Sequence, residues 1–216
     1  MATRKKIEQR SKRRSQAHHE PPSGSEMLTL ELQEIYSAEN QLARMAPRFV
    51  KAAESESLQQ CLERRMESGA QLIEDIDNAF EEMEQSPGRK KNVAAQGLLD
   101  DLREHVQEIP AGAARDAVLI AGLQKTEHYC IAAWGTARTL AQATGIDAVT
   151  KSMSRALDEG KDLDRQLTEL AEQEILPELL ADENAEDVAE EESEDEEERT
   201  PRRSRRTSGT ERRLPH

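Results

Sequence analysis

The stretch ARDAVLIAGLQKTEHYCIAAWGT, residues 114–136, decides the fold class. Ile120, Leu123, Ile131 and Trp134 recur at helical spacing, and Glu127 falls between them on the same stripe. A carboxylate on an apolar helix face costs on the order of several kcal/mol unless it is paired, protonated or metal-bound. His128 stands next to it, with Ala121, Ala132 and Gly135 on its face, and Cys130 follows one turn on. The stretch predicts a long buried helix, about 113–143, that carries something polar inward.

The same periodicity extends in both directions along the chain. A helix over about 26–53 places Leu28, Leu32, Ile35, Leu42 and Phe49 on one face. Glu39 lies on that stripe, four after Ile35 and three before Leu42. A helix over about 57–84, with Ser57 as its N-cap, carries the most regular seam: Leu62, Met66, Gly69, Ile73, Ile76, Phe80 and Met83. Glu67 sits one position off it. A fourth long helix, about 147–176, presents Val149, Met153, Ala156, Gly160, Leu163, Leu167 and Leu170. The first two helices, and the last two, are joined by short connections, which favour antiparallel hairpins. The middle connection, 89–112, holds one short helical pattern and is long enough for a crossover. The expectation is an all-α antiparallel four-helix bundle over 26–176. Five aromatic residues in 216, and no alternating β-branched run, argue against a sheet.

The net charge of -14 is unevenly distributed. Residues 1–19 carry seven Lys or Arg and one Glu, 182–198 carry twelve Asp or Glu and no base, and 202–213 carry six Arg and one Glu. Such blocks bury too little apolar area to offset ordering entropy, so 1–25 and 177–216 are expected to be disordered tails. No segment approaches the roughly 20 apolar residues that span a bilayer, and no secretory signal is evident. Cys61 and Cys130 both fall in helical patterns, as small core hydrophobes of a reduced, cytoplasmic protein.

Two inward carboxylates on different helices, Glu39 and Glu127, invite a metal reading, since carboxylate-rich bundle sites suit iron or manganese. The competing reading is a helix–helix ion pair with Arg or Lys, and for His128 a packed, hydrogen-bonded core imidazole. A Cys130–His128 nucleophile pair is disfavoured, because side chains two apart on a helix point roughly 200° apart.

The strings LQEIYSAENQL (32–42), ARDAVLIAGLQKTEHYCIAAWGT (114–136) and LTEL (167–170) resemble the YciE/YciF family of ferritin-like bacterial stress-response proteins. The resemblance covers about 26–175. It implies a ferritin-like bundle, a rubrerythrin-like dinuclear metal site, and a homodimer. Where the family reads H-L-E-E-T-x-G-Q-I, this chain reads RMESGAQLI, residues 65–73, keeping Glu67 but placing Ala70 three residues later. The family's E-H-Y-E becomes Glu127-His128-Tyr129-Cys130, and its Glu-rich turn in the last helix becomes Asp158-Glu159-Gly160-Lys161. On this basis the candidate metal ligands are Glu39, Glu67, Glu127 and Asp164, with His128 orienting a neighbour. Together they would hold one iron or manganese ion, and two only at weak or partial occupancy. No catalytic residue is assigned. The alternative is a non-catalytic helical interaction module with a decayed site, whose basic tails touch nucleic acid phosphates. No aromatic residue interleaves with those bases, so base stacking is not expected.

Overall fold

The computed structural model describes residues 21–181. They form α1 (Gly24–Ala52), α2 (Glu56–Glu82), α3 (Val93–Glu108), α4 (Ala113–Thr144) and α5 (Asp147–Leu170), with no strand among them. Ser23 caps α1 in a reciprocal box with Glu26. Ser55 caps α2 by accepting from the Leu58 N–H, so the cap lies two residues before the expected Ser57. Gly145, at φ 76°, closes α4 in the left-handed conformation that a residue with a Cβ rarely adopts.

α1 packs on α2 and α4, and α5 packs on α2 and α4, which closes a ring of four. The tight 53–55 and 145–146 turns make α1/α2 and α4/α5 antiparallel hairpins. The chain crosses between them through α3, which lies against α1 and α4. Leu99 and Leu102 of α3 are buried, and Gly122 of α4 lacks the Cβ that would strike Leu102. Asn92 fastens the crossover. It caps α3 through the Ala95 N–H, donates to the Glu34 carbonyl and the Tyr129 hydroxyl, and accepts from Gln41 on its own carbonyl. The fold is therefore the expected ferritin-like bundle.

Two details differ from the sequence reading. Helix α1 starts at Gly24, inside the segment assigned to the N-terminal tail. Beyond Leu170 the helix makes one π turn, Ala171–Ile175, and continues to residue 181, past the expected end at 176. The π turn has a physical role. The seam residues Leu163, Leu167 and Leu170 would continue to position 174, but the wider turn brings Ile175 inward instead, where it is fully buried. Glu174 is left facing Ser55 and Ser57 at the start of α2. The remaining tail residues expected to be disordered, and the basic stretches expected to touch nucleic acid, lie outside the described residues.

The apolar core is split. One cluster gathers Leu28, Ile35, Leu72, Phe80, Trp134 and Met153, among others. The second gathers Leu42, Phe49, Leu58, Leu119, Leu167 and Ile175. Between them, at mid-bundle, lies a charged layer.

Candidate functional site: a guanidinium between two core carboxylates

The charged layer contains Glu39 from α1, Arg65 from α2 and Glu127 from α4, which are 1%, 7% and 3% exposed. Arg65 Nη2 donates to both Glu39 oxygens at 3.0 Å. Arg65 Nε donates to Glu127 Oε2 at 2.8 Å. The guanidinium carbon also stands 5.4 Å from the centre of the Trp134 ring, in cation–π range. One cation therefore joins three helices and a tryptophan face.

The glycines at this level make room for the cluster. A Cβ on Gly69 would stand 2.7 Å from Arg65 Nη1 and 3.2 Å from Glu39 Oε2. A Cβ on Gly160 of α5 would stand 2.7 Å from Glu127 Oε1 and 2.5 Å from the Trp134 ring. Gly160 is thus the position that lets α5 lie against the charged layer. Cys130 is a free, buried thiol that shares the electrostatic environment of Glu39 and Arg65.

The electrostatics follow from burial. Desolvation raises the Glu39 pKa, Glu127 raises it further, and Arg65 opposes both. Burial also acts against the charge on Arg65, but the two carboxylates outweigh it and hold the guanidinium charged. The Cys130 thiol is pushed well up by burial and by Glu39, which disfavours the thiolate that a nucleophile needs. Glu127 Oε1 is buried without a hydrogen-bond partner.

The expected ligands do not converge. Glu39 and Glu127 meet through Arg65. Glu67 is exposed on the outer face of α2. Asp164 lies on the outside of the α4/α5 seam, where it accepts from Gln124 Nε2 at 3.1 Å and pairs with His128 Nε2 at 3.3 Å. His128 is 65% exposed. It is neither a packed core histidine nor a support for Glu39 or Glu127, because one residue along a helix is a rotation of about 100° and carries it off the inner face. Ala70 is exposed as well, so it marks no missing inward donor.

Among the described residues, no group of three or more His, Cys, Asp or Glu side chains could hold a metal ion. The residues present do not fit a dinuclear iron or manganese centre. Two carboxylates are too few, and the space between them is filled by a group that already neutralises part of their charge.

Sequence reasoning missed Arg65. Its signal was the spacing Leu62, Arg65, Gly69, Leu72, Ile76, which is the stripe that α2 buries. Met66 and Ile73, which the hydropathy pattern selected, are only half-buried.

Comparison with known proteins agrees with this architecture. The model of the family described as "Domain of unknown function (DUF892)" matches residues 23–180. The protein YciF of Escherichia coli K12 is 38% identical over 141 residues, covering 65% of this chain and 85% of its own. The crystal structure of the E. coli stress protein YciF superposes with a TM-score of 0.66 at 36% identity, covering 70% of this chain and 96% of that one. YcfI from Rhodopseudomonas palustris gives 0.65 at 28% identity, with the same coverage. With the family model spanning the whole bundle and YciF matching in both sequence and fold, this chain belongs to the DUF892 family of YciF-like proteins.

Proposed function

We propose that this chain is a stress-response protein of the YciF type that acts as a metal-independent helical scaffold, with Arg65 as the permanent cation of its core. The observation that carries this reading is the guanidinium bonded to both Glu39 and Glu127, the two carboxylates a core metal would need. A metal ion would have to displace this buried arginine from both carboxylates at once. The stress role rests on the likeness to E. coli YciF. Two free buried thiols, Cys61 and Cys130, suit a reduced cytoplasm.

The test has two arms. Purified full-length protein is incubated anaerobically with Fe(II) and separately with Mn(II), desalted, and assayed for metal and for thermal midpoint. The expected result is well under one equivalent bound and an unchanged midpoint, because a ligand that binds only the folded state must raise it. Stoichiometric metal with a raised midpoint would overturn the metal-independent reading. The second arm follows protein level and survival of an in-frame deletion strain under heat, osmotic and oxidative challenge. Neither induction nor a survival defect under any challenge would remove the stress role.

A further inference from the structure

A surface cleft away from Arg65 lies between α1, α3 and the connection that follows α2. Its volume is about 590 Å³. Gln33, Asn40 and Arg44 of α1 form one wall, and Arg89, Lys90 and Lys91 form the other. Four cations thus face one lining carboxylate, Asp100, which Arg103 already holds at 3.0 Å. Lys90 is 65% exposed and pairs with Glu34 at its rim. Arg89 and Lys91 are exposed and make no ion pair among the described residues.

This concentration of positive charge runs against the rest of the body. Residues 21–181 hold 29 Asp or Glu and only 16 Lys or Arg. An anionic chain is therefore repelled by most of the bundle surface and attracted to this cleft.

The chain carries such a segment. Residues 182–198 contain twelve carboxylates and no base. They begin where the helical run ends, and Leu179 packs on the cluster that holds Phe49 and Ala53, at the C-terminal end of α1. The cleft lies one to two turns and more back along that helix, and from Gln41 to Ala52 the rise is about 16 Å. Seventeen extended residues reach up to about 55 Å, so the span is sufficient. We propose that the acidic segment 182–198 docks in the Arg44–Arg89–Lys90–Lys91 cleft of its own chain.

Zero-length carbodiimide cross-linking of the full-length protein, read by mass spectrometry, tests this. Lys90 and Lys91 are the cleft amines, and the Lys90–Glu34 contact at 2.7 Å is an internal positive control. The expected products join Lys90 or Lys91 to carboxylates within 182–198. They should fall several-fold, relative to the Lys90–Glu34 product, when salt shortens the screening length to about 4 Å near 0.5 M. Mixing ¹⁵N-labelled and unlabelled protein separates intrachain from interchain products. Three results would overturn the proposal: products between 182–198 and only the amines of residues 1–19, products found only between chains, which would assign the cleft to a second copy, or no 182–198 product while Lys90–Glu34 forms. The variant Arg89→Glu/Lys91→Glu keeps Lys90 as reporter and should lose most of its product with 182–198. Unchanged yield in that variant would also refute the docking.

Discussion

At the scale of single residues, Arg65 supplies the counter-charge for both buried carboxylates of the core. Replacing Arg65 with Met leaves Glu39 and Glu127 buried without a counter-charge. The expected loss is about 3–5 kcal/mol, read from urea midpoints. Combining it with Glu39→Met and Glu127→Met should recover most of that loss, since a well-packed apolar replacement of a buried ion cluster is often neutral or stabilising. A triple variant no better than the single would mean that the charges are not what the single variant exposes. Titration gives an independent check. Burial holds the Glu39 carboxyl above its ordinary 4.5. Its stabilising contribution is therefore complete below its unfolded pKa and is lost as pH rises through the folded one. Glu39→Gln should flatten the decline in stability from about pH 4.5 upward, and parallel curves would contradict that assignment. The glycines offer a matched comparison. Gly160→Ala forces a Cβ against Glu127 and Trp134 and should cost about 1–3 kcal/mol. Gly135→Ala, in α4 with nothing within 4 Å, should gain about 0.5–1 kcal/mol of helix propensity.

At the scale of elements, the ends are held by side chains that reach across from a neighbouring helix. Asp116 of α4 is buried and accepts from the N–H groups of Glu54 and Ser55, the turn between α1 and α2. Asp116→Ala strands those donors and should cost about 1–3 kcal/mol, with loss of amide-exchange protection confined first to residues 53–56. Protection lost evenly over the bundle would instead point to a global role. The four long helices were legible because each buries an apolar stripe of period 3.6 over about seven to nine turns. Their ends were less so: the Ser57 and Ser55 caps differ by half a turn, and no sequence pattern announces the π turn at 171–175. The site was half legible. Glu39 and Glu127 stand out because a carboxylate interrupts an apolar stripe. Arg65 does not, because hydropathy treats an arginine as outward and lets Met66, its neighbour, complete the seam. The ion-pair reading of the two acids named the right chemistry but not its residue, the arginine on the stripe between Leu62 and Gly69.

At the scale of the whole molecule, the charged layer divides the core into two apolar halves joined by one ion cluster. Such a layer penalises slippage of α1, α2 or α4 by a turn, since any shift would bury an unpaired charge. The excess of carboxylates over the described residues sets a second property. Raising NaCl from about 10 mM to 300 mM should raise the thermal midpoint, by screening self-repulsion that the buried cluster does not feel. A midpoint that falls with salt would show that surface pairs such as Arg155–Asp75 outweigh the repulsion.

A guanidinium also changes when the molecule is finished. A bundle whose centre takes an ion from solution must wait for that ion, compete for it and risk losing it or having it change oxidation state. With Arg65 the positive charge is translated along with the rest of the chain. On the proposed reading, the Arg65 layer is complete when the helices close, at the same composition in an iron-starved cell and an iron-replete one, with no ion there for a chelator to extract.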